Sequence, residues 1–183
     1  MNGADLFARS LRAQGVEWIG TLCGHGLNEV YAACLRADIK LIDVRNEQTA
    51  AYMAECWGRL SRQVGVCAVS SGVAHANAMT GVVNAHFDGA PMLLLTGAGP
   101  LRTAGMGHFQ DLDQVGLAAP VCKYARVMDM PERIPEFVHE AFRQAERAAR
   151  ELHVLAPAPA RLWLARRQAI LSTKDVRRLT RRH

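Results

Sequence analysis

Short apolar or β-branched runs recur through the first 150 residues, at 17–22, 39–44, 65–69, 91–96 and 121–127. Between them lie stretches whose apolar positions repeat with helical spacing, over about 3–14, 26–37, 47–61, 73–87 and 131–149. Strands separated by helices of roughly 10–15 residues build βαβ units, and a sheet made of such units is parallel and covered on both faces. The expected fold is therefore α/β, doubly wound, with a mainly parallel sheet and helices on both sides. The junctions that follow the strands carry turn and cap residues: Gly24-His25-Gly26, Asn46, Ser70-Ser71-Gly72 and Gly97-Ala98-Gly99-Pro100. In open sheets of this kind, ligands sit outside the carboxyl ends of the strands, where these junctions gather.

The pattern changes near Ala149, so the expected division is a domain over 1–150 and a remainder over 151–183. Two readings of the transition stay open. The Leu155-Ala156-Pro157-Ala158-Pro159-Ala160 run opposes helix and reads as an extended linker, with a last strand over 151–156 as the alternative. Beyond it, 161–169 has the spacing of a short basic amphipathic helix. The net charge of +5 belongs to this end. Residues 151–183 hold eight basic residues against Glu151 and Asp175, whereas the preceding 150 are balanced, with 14 basic and 15 acidic. A basic patch confined to one terminal segment is weak ground for a nucleic-acid role, which is not expected.

Other classes fall to composition. No apolar run approaches the roughly 18 residues of a membrane span, and the first residues lack the basic and apolar regions of a signal peptide. Five cysteines (Cys23, Cys34, Cys56, Cys67 and Cys122) form no Cys-x-x-Cys pair. That argues against a disulfide framework or a zinc site and for a reducing, cytoplasmic setting. The seven histidines show no His-Glu-x-x-His spacing, and no metal ligands are expected. Gly97-Ala98-Gly99 is too short for a dinucleotide fingerprint. Cys56, Cys67, Trp18, Trp57 and Trp163 read as packing residues.

The chemistry is concentrated in a few blocks. Arg45-Asn46-Glu47-Gln48 follows the second run directly, which puts Glu47 at a helix N-terminus on the carboxyl rim of the sheet. Taken alone, an acidic residue there complements the helix dipole by a few tenths of a kcal/mol. Further along stand Ser70-Ser71-Gly72-Val73-Ala74-His75-Ala76-Asn77, then Ala85-His86-Phe87-Asp88-Gly89-Ala90-Pro91, and later Gly107-His108-Phe109-Gln110-Asp111. In this order, over about residues 3–148, the blocks resemble the pyrimidine-binding domain of thiamine-diphosphate enzymes of the acetolactate synthase and pyruvate decarboxylase superfamily.

The resemblance implies roles. Glu47 matches the glutamate that hydrogen-bonds the aminopyrimidine ring and drives its tautomerisation, and Gln110 matches a glutamine that faces the reacting centre. Cys23-Gly24-His25 matches the turn after the first strand. Ser71, Gly72, Val73 and Asn77 match the segment lying against the pyrimidine. Cys23 stands where the family has proline, and Val73-Ala74 where many members have Pro-Gly. His25, His75 and Phe109 are candidates for substrate contact, His25, His75 and His108 being expected on rim loops.

The family binds its diphosphate and Mg2+ through another domain, marked by a Gly-Asp-Gly block followed by Asn-Asn. This sequence has only Asp88-Gly89, at the end of a helical stretch. The resemblance therefore implies half an active site: thiamine diphosphate shared with a diphosphate-binding domain or subunit that holds the magnesium, within a homo- or hetero-oligomer. Three readings follow. The chain is a piece of a longer carboligase or decarboxylase, truncated or altered at its end; or a separate subunit, as in two-chain sulfopyruvate decarboxylase; or a catalytically silent interaction module.

Overall fold

A computed structural model of the chain describes residues 2–147 and 152–157. Helix α1 (Gly3–Ala13) leads into β1 (Trp18–Leu22), followed by α2 (Asn28–Arg36), β2 (Lys40–Asp43), α3 (Glu47–Ser61), β3 (Gly65–Val69), α4 (Val73–Asp88) and β4 (Met92–Thr96). A long connection with a 3-10 turn then reaches the short helix α5 (Gln114–Ala118), β5 (Cys122–Met128), α6 (Ile134–Glu146) and β6 (Leu152–Pro157). The six strands form one sheet in the order β2-β1-β3-β4-β6-β5. Every neighbouring pair is parallel. The α/β, doubly wound architecture expected from the periodicity is the one observed.

The five expected strands fall within a residue or two of their runs. The last-strand reading of the segment after 150 also holds: β6 is inserted between β4 and β5 and is bonded to both. The helix expected over 131–149 begins instead at Ile134, after a 3-10 turn over Pro131–Arg133. Residues 158–183, with the basic tail, Trp163 and the 161–169 helix, lie outside the described residues.

Why β3 and β4 read as unbroken apolar runs is clear from the packing. Side chains alternate across a strand. Val66, Ala68, Leu93 and Leu95 enter a core with Phe7 and Leu11 of α1, Val30 of α2 and Phe137 of α6. Their neighbours Cys67, Val69, Met92 and Leu94 enter a second core with Ala50 and Ala54 of α3, Ala78 and Val82 of α4, and Ala118 of α5. Both faces are buried, so nothing along these strands needs to be polar. Burial also pushes the Cys67 thiol pKa well up, in keeping with its reading as a core residue. Trp18 and Trp57 meet edge to face at 5.5 Å.

Helix α3 lies very close to β3 and to α4, because glycines on both leave room for it. A Cβ on Gly65 would collide with the Ala54 carbonyl oxygen and stand 3.0 Å from the Ala54 Cα. One on Gly81 would stand 2.8 Å from the Ala51 carbonyl carbon. These obstacles are backbone and cannot rotate away. Gly65→Ala should therefore push α3 off β3 and destabilise the fold by about 1–3 kcal/mol, the usual range for overpacking. A denaturant midpoint equal to that of the parent would show that the helix has more freedom than this packing implies. Since α3 begins at Glu47, the same contacts fix the height of Glu47 over the rim.

Candidate functional site

In a parallel sheet all strands deliver their carboxyl ends to one rim. Here the chain runs from β1 outward to β2, then returns to place β3 on the other side of β1. The gap between β1 and β3 is the switch point, where a crevice is expected. Two candidate turns meet there. Ser70 Oγ donates to the His25 carbonyl at 2.8 Å, and a Cβ on Gly24 would stand 2.8 Å from the Ser70 Cβ. Cys23 and His25 are exposed beside them.

Glu47 opens α3 on the same rim. Asn46 caps the helix, its side chain accepting from the Gln48 N–H at 2.8 Å, so the Glu47 carboxylate is not spent on the cap. It is half-buried, and its Oε2 accepts a hydrogen bond from the Asn77 side-chain amide at 3.0 Å. Asn77 is carried in by the second turn of α4, against which α3 packs. Two residues thirty apart in sequence are thus joined as a carboxylate and its orienting amide.

Helix α4 starts at Val73, which is 69% exposed, and its N-cap is Gly72 with φ +61°. That conformation favours glycine. Position 72 is also closed sterically, since a Cβ there would stand 2.8 Å from the Gln110 Cβ and 3.0 Å from its Cα. Gln110 itself adopts φ +62°, and its side-chain oxygen accepts from Ser71 Oγ at 2.7 Å. The structure therefore brings Ser71, Gly72 and Gln110 together. Phe109 next to them is 77% exposed. The Asp111 carboxylate accepts from the Gly105 and Gly107 amides at 3.2 and 2.9 Å, which ties the loop together and lowers its pKa. Beside this loop opens a cleft of about 490 Å³, lined in part by Gly99, Leu101, Asp111 and Gln114.

One expected placement is corrected. His75 does not lie on a rim loop. It is in the first turn of α4, 0% exposed, and neither ring nitrogen finds a hydrogen bond of ordinary geometry among the described residues. Burial pulls its pKa down to about 4, the Gln114 backbone offsetting only part of the effect. In this arrangement it is closed to substrate. His108 is on a loop, with Nε2 3.8 Å from the Asp111 carboxylate.

The sequence reading missed Gln114. Its side chain accepts from the Gly72 N–H at 2.8 Å and donates to Thr96 Oγ1 at 2.6 Å and to the Gly97 carbonyl at 2.8 Å. A signal existed: Asp113 caps α5 by accepting from the Gly116 N–H at 2.8 Å, and an Asp before a short apolar stretch marks a helix start.

Among the described residues no cluster of His, Cys, Asp or Glu could hold a metal ion, and no helix is long and apolar enough to cross a membrane.

Comparison with known proteins identifies the family. Residues 1–117 match the family model described as thiamine pyrophosphate enzyme, N-terminal TPP binding domain. The chain is 39% identical over 146 residues to 2-hydroxyacyl-CoA lyase 2 of Caenorhabditis elegans, covering 79% of this chain and 23% of that protein. It is 37% identical over 146 residues to a probable acetolactate synthase large subunit of Methanococcus aeolicus (80% and 24%). To the catabolic acetolactate synthase of Raoultella terrigena it is 36% identical over 145 residues (79% and 26%). The chain spans about a quarter of the length of these curated relatives. These matches lead to one conclusion: the chain belongs to the thiamine pyrophosphate enzyme family, as the N-terminal, TPP-binding domain.

Proposed function

We propose that this chain forms the pyrimidine-binding half of a thiamine-diphosphate active site in a carboligase or decarboxylase acting on 2-oxo acids. The observation that carries the reading is the Glu47 carboxylate, left free by its helix cap and oriented by Asn77 at 3.0 Å. When bound, the cofactor supplies the electron sink for making or breaking a carbon–carbon bond beside a carbonyl. The chain's own part is to place and protonate. Glu47 holds and exchanges a proton at a ring nitrogen of the pyrimidine, as a positioned acid–base group does. Asn77 keeps the carboxylate turned toward the ring. The backbone at Ser71, Gly72 and Val73, with Cys23 and Gly24, would hold the pyrimidine, and the Gln110 amide would serve the reacting centre. His25 and Phe109, both exposed on the rim, are placed to meet substrate. The relatives' names include both a synthase and a lyase, in keeping with a cofactor that serves both the forming and the breaking of a carbon–carbon bond.

The diphosphate and Mg2+ are assigned to a partner domain or subunit in a homo- or hetero-oligomer of the cytoplasm. Supporting this is the three-quarters of each relative that the chain does not cover. Binding of the pyrimidine end alone should be weak, since charge-assisted contacts to the diphosphate are the stronger ones. Thiamine, which has no phosphate, should shift the amide resonances of Gly72 and Val73 and the side-chain amide of Asn77 at about millimolar concentration. Glu47→Gln should weaken the response. An unchanged spectrum would remove the pyrimidine site. Tight, magnesium-dependent binding of thiamine diphosphate by the chain alone would place a phosphate site within it and overturn the half-site assignment.

A further inference from the structure

We propose that Gln114 is a positioning residue, which aims the Ser71–Gly72 peptide and holds Gln110 against it. The site it serves is the one proposed above, so its meaning for catalysis rests on that reading, whereas its structural action does not.

The side chain is 5% exposed and joins three segments that are far apart in sequence. Its oxygen takes the Gly72 N–H, and its NH2 group gives both protons, one to Thr96 Oγ1 and one to the Gly97 carbonyl. The end of β4 and the start of α4 are thereby tied to the helix that follows Gln110. No apolar side chain of similar size reproduces any of these bonds.

Gly72 is the point where the tie matters. Its N–H lies in the same rigid plane as the Ser71 carbonyl, so a partner that fixes the N–H also fixes the direction of that carbonyl. The N-cap has no side-chain hydrogen bond of its own at the start of α4. With φ at +61° and no Cβ, Gly72 has more conformational freedom than any other residue type. Gln114 removes that freedom from one side. From the other side the Gln110 Cα and Cβ sit where a Gly72 side chain would be, and Ser71 Oγ holds the Gln110 oxygen at 2.7 Å. Gln110 is four residues before Gln114, so one short segment clamps the peptide twice.

A residue that merely filled space would be replaceable by one of equal volume. Gln114→Met keeps the volume and removes all three bonds. In the 183-residue chain, labelled with 15N, this change should speed exchange of the Gly72 amide roughly ten- to hundredfold, the range expected when a buried donor loses its partner. It should also shift the Ser71 amide and the Gln110 side-chain signals, while the amides of Val66 and Leu94 in the central strands keep their protection. Equal Gly72 exchange in parent and variant would overturn the proposal.

Thr96 gives a second route should Gln114→Met fail to fold. Thr96→Val keeps the shape and removes the acceptor of one bond, and Thr96→Ser restores it. The proposal expects faster Gly72 exchange in the valine variant and parental exchange in the serine variant. Identical exchange in all three overturns it. Thiamine titration of the same samples separates the two readings. If the parent fails to respond to thiamine, the pyrimidine site is lost and the exchange data still decide the role of Gln114. If the parent responds and Gln114→Met responds equally at Gln110, positioning is refuted.

Discussion

Glu47→Gln, in a holoenzyme assembled with the diphosphate-binding domain, should fold like the parent and lose about 10²–10⁴-fold in turnover, the range of a positioned acid–base group. The structure explains why the two effects separate. Helix α3 is capped by Asn46, so its start does not depend on residue 47. A glutamine has the same length and keeps an oxygen to accept the Asn77 amide bond. What it costs the fold is the favourable placement of a negative charge in a first helical turn, a few tenths of a kcal/mol. What it removes is the capacity to take up and return a proton. Turnover and KM measured beside a thermal melt therefore test the assignment directly. Parental turnover in the glutamine variant would strip Glu47 of its role, and a large fall in melting temperature would recast it as a structural residue.

How much of this was visible in the sequence follows from where the information sits. Strands β3 and β4 were legible to the residue at most ends because all of their positions are buried, and full burial on both faces writes itself as a continuous apolar run. Glu47, Gly72, Asn77 and Gln110 stood out in the sequence as blocks at junctions, and the structure pairs Glu47 with Asn77 and sets Gln110 against Ser71 and Gly72. Helix α5 was not, since its five residues are too few to display a helical period. Gln114 was hidden for a different reason: two of its three partners are backbone atoms, which leave no mark in residue type. The insertion of β6 between β4 and β5 was invisible too, because strand order depends on how α6 packs back over the sheet. His75 misled in the opposite sense. A polar residue next to a glycine turn reads as exposed, yet here it is the first-turn residue of α4 that points into the protein.

That burial makes His75 the source of a strong acid sensitivity. Its folded-state pKa is about 4 against an ordinary value of 6.5, with burial the main cause, because a charged imidazole would lose its water and the Gln114 backbone would make good only part of that loss. The unfolded chain therefore binds a proton at His75 between pH 6.5 and 4 that the folded chain refuses. Stability should be at its full level above about pH 6.5, fall as the pH drops through that window, and level off near 4 as far as this group is concerned. At about 1.4 kcal/mol per unit, the loss amounts to roughly 3 kcal/mol. Other groups titrate there as well, so the measurement is a difference: denaturant midpoints of the parent and of His75→Ala at pH 7.5, 6.0 and 4.5. The alanine variant carries a constant cavity penalty but lacks the proton, and its midpoint should decline less steeply with acid. Parallel declines would mean that the ring is solvated or partnered in the folded chain. The consequence reaches the site through α4, in whose first turn the ring is buried. Helix α4 begins at Val73 and carries Asn77, so the Asn77–Glu47 hydrogen bond should loosen over the same pH range in which the fold weakens.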